Sequence, residues 1–285
     1  MTMGDAAQVS AKDERPRSGR PPFLSVTRFE LLRHFRRKRL IVLIVIAAIL
    51  VTLLIVVRQV FGSSSGDAYD YASSFGGFVT ILAALAATFF GADAIVGEFE
   101  NHTGYLIFPQ PVTRTSVFLG KLVAAFILMA LTMGTYYLVV AAATGIVKGS
   151  VPAELGYSFL LAVLYGTAAL GVAFFLSSAL RGTTMSSILT FAILFFILPI
   201  ADTIFSVARV RPDGSLAFAA GTISNILTGP YPSAYPGDTT IPIGPGGTIT
   251  IYSPAVPISI VVMVAWALVG FVLGWALFRR REMKG

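Results

Sequence analysis

Two aspartates stand at the ends of long apolar runs, where an acid can bind a cation, relay a proton or line a solute path. Asp93 closes the second run, and Asp202 lies toward the end of the fifth. Pro199 precedes Asp202; its missing N–H and its ring should kink a helix there and free carbonyls nearby. The competing reading of Asp202 is a hydrated residue at the outer interface. Other chemistry-bearing patterns are incomplete. There is no cysteine, so thiolate metal sites and cysteine nucleophiles are excluded. The two histidines, His34 and His102, are too far apart in sequence to suggest a metal site. Gly120-Lys121 looks like the end of a phosphate-binding loop, but Leu122 follows and Thr115 stands where the first glycine belongs. H-E-x-x-H and G-x-S-x-G motifs are missing as well. No residue is therefore assigned a catalytic or metal-binding role.

The elements that must hold these acids are helices in lipid. Hydrophobic residues make up 55% of the chain and charged residues 12%, against about 25% charged in soluble domains. Six apolar runs fall near 40–57, 75–92, 116–147, 155–180, 184–208 and 257–278. A run of 18 residues makes roughly 27 Å of helix, enough to span a bilayer. The third run is longer than needed, so it should tilt or project into the cytoplasm. The fold class expected is an all-α integral membrane protein with six transmembrane helices. With both termini inside, 17 of the 21 lysines and arginines lie on the cytoplasmic side and four outside. The basic balance thus reflects topology rather than nucleic-acid binding.

Residues 1–22 read as a disordered cytoplasmic tail, and 279–285 as a basic one. In residues 23–39, Val26, Phe29, Leu32 and Phe35 recur at helical spacing among arginines. That pattern predicts an amphipathic helix in the inner headgroup layer; the plainer alternative is a basic stop before the first span. Residues 209–256 hold seven glycines and seven prolines and read as an external cap or partly re-entrant loop. A short strand is expected at 248–252 and a short helix at 219–227. Small residues recur every fourth position at Gly76, Thr80, Ala84, Thr88 and Ala92, and Gly270 with Gly274 forms a G-x-x-x-G. Such faces let helices approach closely, within the chain or between two copies.

Between the second and third runs lies Gly97-Glu98-Phe99-Glu100, followed by Thr103, Leu106-Ile107-Phe108, Gln110-Pro111-Val112-Thr113-Arg114 and Gly120-Lys121. Glu98 and Glu100 suit the positive start of a short helix. Pro111 should end that segment, and Thr113 or Ser116 can cap the next helix. The stretch resembles the corresponding cytoplasmic segment of ATP-binding-cassette (ABC) transporter permeases of the type-2 exporter class. It departs from them at His102, where glycine is usual, and at Pro109. The resemblance implies a permease subunit that forms the translocation path and works, for export, as two membrane subunits with two ATP-binding subunits. ATP and magnesium would be bound by that ATPase partner, and no cofactor by this chain. Gly97, Glu98, Glu100, Thr103, Pro111 and Arg114 would form the elbow that receives the ATPase stroke. Asp202 and Asp93 are the candidates for the translocation path. The resemblance also places the protein in the cell membrane. Rival readings are a gradient-driven carrier or channel, disfavoured by sparse buried charge and the lack of an internal repeat, and a membrane anchor or maturation factor that moves no solute.

Overall fold

The computed structural model of the chain describes residues 22–36, 38–61, 66–100, 113–243 and 247–281. Ten helices and one hairpin are formed among them. Helix α1 spans Pro22–Arg36, α2 Arg39–Phe61, α3 Ala68–Gly91, α4 Val96–Glu100, α5 Arg114–Lys148 and α6 Glu154–Ala179. Helix α7, Thr183–Ala192, runs through a π-turn at Ile193–Ile197 into α8, Leu198–Val207. Helix α9 covers Leu216–Asn225, strands β1 and β2 cover Thr239–Ile243 and Gly247–Ile251, and α10 covers Val256–Arg280. Among the described residues, six helices are long and apolar enough to cross a membrane, with α7, the π-turn and α8 acting as one.

Local chemistry sets the helix starts. Thr113 accepts from the Ser116 backbone N–H at 3.2 Å to cap α5, and Asp67 does the same for α3 through Asp70 at 2.9 Å. Proline stands in the first turn of α10, where its missing N–H is no loss. The π-turn ends just before Pro199. That proline cannot donate to the carbonyl four residues back and its ring crowds that carbonyl, so the ladder loosens there. Sequence predicts the disruption at this point but not its π form.

Helix α6 is the centre of the bundle, packed most heavily on α10 and next on α3. The glycines of the last span face it. A Cβ on Gly270 would lie 2.4 Å from the Gly171 carbonyl carbon, and one on Gly274 3.2 Å from the Phe174 carbonyl. The G-x-x-x-G therefore packs within the chain, and only glycine lets the two backbones come so close. Several buried hydroxyls find partners inside: Thr132 and Thr144 bond back one turn at 2.9 and 2.8 Å. Tyr136 donates to the Phe75 carbonyl at 2.8 Å, joining α5 to α3. Ser158 bonds Tyr137 and the Ile223 carbonyl at 2.7 Å each, joining α5, α6 and α9.

Residues 209–243 and 247–256 close over one end of the bundle, here the hairpin face. Helix α9 turns Leu216, Ala219, Ala220 and Ile223 inward and packs against α10, α6 and α3. Strands β1 and β2 pair antiparallel, with Thr239 opposite Ile251. Arg211 pins the loop, bonding Asp213 at 2.8 Å, Asp238 at 3.0 Å and the Ser253 carbonyl at 2.8 Å. The opposite end, the basic face, carries α1, α4 and the ends of α2, α5, α6, α7 and α10.

Candidate functional site

A turn over residues 92–95 leads from α3 into α4, and the ends of five other helices meet this elbow. The N–H groups at a helix start need acceptors from outside the helix; Gly97 and Glu98 donate to the Asp93 and Ile95 carbonyls at 3.0 and 3.1 Å. Ser177 of α6 supplies another acceptor, taking bonds from Ile95 and Val96 at 2.9 and 3.1 Å. Ser186 of α7 donates to the Ala92 carbonyl at 2.6 Å. Glu100 reaches across to the start of α7 and accepts from the Thr183 N–H at 2.7 Å. Gly182, the residue before that helix, has no side chain to cap it, so the elbow provides the negative cap. Phe99 sits edge-on to Phe278 of α10 at 6.2 Å, and the Arg281 guanidinium lies 4.3 Å over the Phe99 ring. Arg114, opening α5, donates to the carbonyls of Arg281 and Arg279 at 2.7 and 3.3 Å. A cation there complements the negative end of α10.

Glu98 joins a buried ion cluster. Lys121 of α5 donates to Glu30 of α1 at 2.5 Å and to Glu98 at 2.7 Å. Arg33 of α1 reaches Glu98 at 3.0 Å and Glu30 at 3.4 Å. Two carboxylates and two cations sum to zero, which is how four charges tolerate burial; the Lys121 side chain is 2% exposed. Next to it, Asp93 pairs with Arg39 of α2 at 2.6 Å, and Arg39 also donates to the Phe89 carbonyl at 3.0 Å. His34 lies edge-on to Phe90 at 5.5 Å. Burial pushes its imidazole down to about 4, outweighing the pull of Asp93 and Glu30.

The cluster explains the placement of α1. Thr27, Glu30 and His34 face the protein, whereas Phe29 is 63% exposed and Leu32 and Phe35 are exposed beside it. The helix thus turns its polar side inward and its apolar side outward. A Cβ on Gly120 would meet Val26 at 2.7 Å, so that glycine lets α1 press against α5 and brings Lys121 under Glu30.

Asp202 belongs to a different place. It borders a cavity of ≈ 330 Å³ between α3, the π-turn, α8 and α9. Its carboxylate stands beside Ser215 and the Phe218 backbone N–H at the start of α9, yet among the described residues its buried Oδ1 has no hydrogen-bond partner. Gly76, Thr80 and Ala84 form the α3 wall.

A family model for ABC-2 family transporter proteins matches residues 29–198, well over half of the chain. The chain belongs to the ABC-2 transporter family. It is accordingly a multi-pass membrane component of an ABC transporter, a family in which nucleotide is bound by partner ATPase subunits. A search of curated proteins finds no match.

For this ABC-2 family member, the structure gathers Gly97, Glu98, Glu100 and Arg114 at one elbow; Thr103 and Pro111 lie outside the described residues. Asp93 and Asp202, grouped by sequence as path acids, stand at opposite ends of the bundle. Asp93 belongs with the ion cluster. Glu98 stands in the first turn of α4 and is buried, 7% exposed, held by two cations of the same chain. Sequence reasoning missed Glu30, Arg33, Lys121, Ser177 and Ser186. Lys121 was visible as half of Gly120-Lys121; the others left no local signal. Among the described residues no group of His, Asp and Glu is arranged to hold a metal ion.

Proposed function

We propose that the chain is the permease of an exporter in the cell membrane, acting as two permease copies with two separate ATP-binding subunits. In this reading the basic face is cytoplasmic, with both termini on that side, and residues 209–256 are external. The elbow that includes Gly97, Glu98, Glu100, Thr103, Pro111 and Arg114 takes the ATPase stroke, and Asp202 lines the path.

The observation that carries the reading is the reach of one short helix. Val96–Glu100 and the turn before it touch or bond α1, α5, α6, α7 and α10, and Asp93 adds α2. Coupling needs a contiguous element whose displacement biases distant ones. A soluble subunit pressing on this point would move all six spans, whereas a passive anchor has no need for such a junction.

Reconstitution tests it. The purified chain alone should not hydrolyse ATP. Mixed with its cognate ATPase in liposomes, it should raise ATP turnover and move solute only when ATP is present. Rigorous purification that leaves robust hydrolysis in the chain alone would overturn the proposal. Binding of the ATPase with no ATP-dependent solute movement would instead favour the anchor or maturation role.

A further inference from the structure

We infer that the cavity beside Asp202 is a binding site for a small organic cation with an apolar body, such as a protonated or quaternary amine. This rests on the reading of Asp202 as part of the path and names the chemistry that path would select.

The cavity lies in the half of the membrane nearer the hairpin. Asp202 stands five residues before the end of α8, and Gly76 lies in the third turn of α3, whose start is on the same side. Its walls are mainly carbon: Ile81 from α3, Leu194 and Phe195 from the π-turn, Ala217 and Ala220 from α9. At ≈ 330 Å³ it can take a single-ring molecule. A carboxylate on the edge of such a space is costly in the ionised form unless something balances it. Among the described residues, no lysine or arginine lines the cavity, and the buried Oδ1 of Asp202 has no hydrogen-bond partner. The start of α9 offers only a partial positive charge. A ligand cation would complete the pairing, and Phe195 and Tyr165 add aromatic rings to the wall around it. An anion would meet the carboxylate unscreened. A neutral molecule would gain the apolar contact alone.

The structure also provides a way to block the site without disturbing its frame. Gly77 borders the cavity, and a Cβ added there meets nothing within 4 Å. Gly77→Phe can therefore fill the space. Asp202→Asn keeps one oxygen acceptor for the start of α9, removes the charge and replaces the other oxygen with an NH2 donor of near-equal size.

The test uses the full-length chain in nanodiscs of neutral phosphatidylcholine, with empty discs as reference. Ligand-observed NMR at pH 7 compares benzylammonium with benzyl alcohol and benzoate, three molecules of near-equal size. The wild-type chain should bind benzylammonium saturably and about tenfold tighter than benzyl alcohol, with benzoate weakest. Asp202→Asn should bring the two down to equal affinity, and Gly77→Phe should remove both. Equal affinities in the wild type, or cation preference intact in Asp202→Asn, would overturn the inference. Should Asp202→Asn fail to fold by thermal unfolding, the wild-type series and Gly77→Phe still decide, because undiminished cation binding in the filled variant excludes this cavity. The chain is measured without its ATPase, so loss of cation preference beside intact ATP-driven transport refutes the ligand class and spares the permease reading.

Discussion

Replacing Glu98 should cost far more than its place in a short helix suggests. A carboxylate at an exposed helix start contributes about 0.3–1 kcal/mol. Here Glu98→Ala leaves Lys121 and Arg33 with one shared carboxylate, Glu30, and a net positive charge where the Lys121 side chain is 2% exposed. Removing one partner of a buried pair typically costs about 3–5 kcal/mol. Glu30 still lies 2.5 Å from Lys121, which sets the expectation near the lower figure, about 3 kcal/mol. Glu98→Gln keeps the volume and an acceptor and should lose about 1.5–3 kcal/mol, the range for a hydrogen bond to a charged group. Glu98→Leu combined with Lys121→Met removes one ion of each sign and leaves Arg33 beside Glu30, so most of the loss should be recovered. Thermal and denaturant unfolding in detergent measure these values, and ATP-driven transport in liposomes measures coupling. The stable double variant should assemble with the ATPase yet transport poorly, because α1 and α5 no longer follow the elbow. Glu98→Ala with wild-type stability would refute the buried-cluster account, and full transport by the double variant would refute its part in coupling.

Gly270→Ala forces a methyl group against the Gly171 backbone and should lower stability by about 1–3 kcal/mol. Gly134→Ala, where an added Cβ meets nothing within 4 Å, should not; equal unfolding temperatures for both variants would count against the α6–α10 contact. His34 should make the packing of α1 sensitive to acid. Its imidazole is neutral when packed and has a value near 4, against 6.5 when free, so the released state takes up the extra proton. The stability it supports is complete above about pH 6.5 and falls as the pH drops toward 4, by up to about 3 kcal/mol. Asp93, Glu30, Arg39 and Arg33 are the charged groups acting on it. Unfolding temperatures at pH 7 and pH 4.5 should differ less in His34→Asn than in the wild type, and equal differences would contradict the assignment.

The spans were legible because lipid imposes one long apolar run per crossing, and the runs ending near Val57 and Phe278 need no distant partner to be seen. The G-x-x-x-G at Gly270 and Gly274 was legible as a contact face, but Gly171 as its counterpart was not. Pro199 announced a break, but its type and position do not specify the π form that the ladder takes before it. The ion cluster was hidden for a simple reason. Glu30 and Lys121 are separated by two spans, and local periodicity carries no information on such pairs. Amphipathic reasoning assigned the charges of α1 to water or headgroups; in the structure two of its charged residues, Glu30 and Arg33, find their complement in Lys121 and Glu98, so the apolar side is free to face lipid.

The elbow and the Asp202 cavity lie at opposite ends of one span, and that span is the least buried of the six. At its base, Glu100 caps Thr183 and Ser186 holds the Ala92 carbonyl. Toward the other end it carries Leu194, Phe195 and Asp202, which form part of the cavity wall. From Thr183 to Asp202 a helix covers roughly 28 Å, about the thickness of the hydrocarbon core. The opposite wall is held more firmly: α3 is bonded to α5 through Tyr136 and Phe75 and packs along α6. Under the proposed coupling, a displacement of the elbow would be carried by this least buried span and delivered against that wall. The π-turn adds a point of weaker hydrogen bonding between the two ends. Under the proposed coupling, the stroke changes the distance between Asp202 and α3, so one helix both receives the ATPase's push and alters the grip on a bound cation.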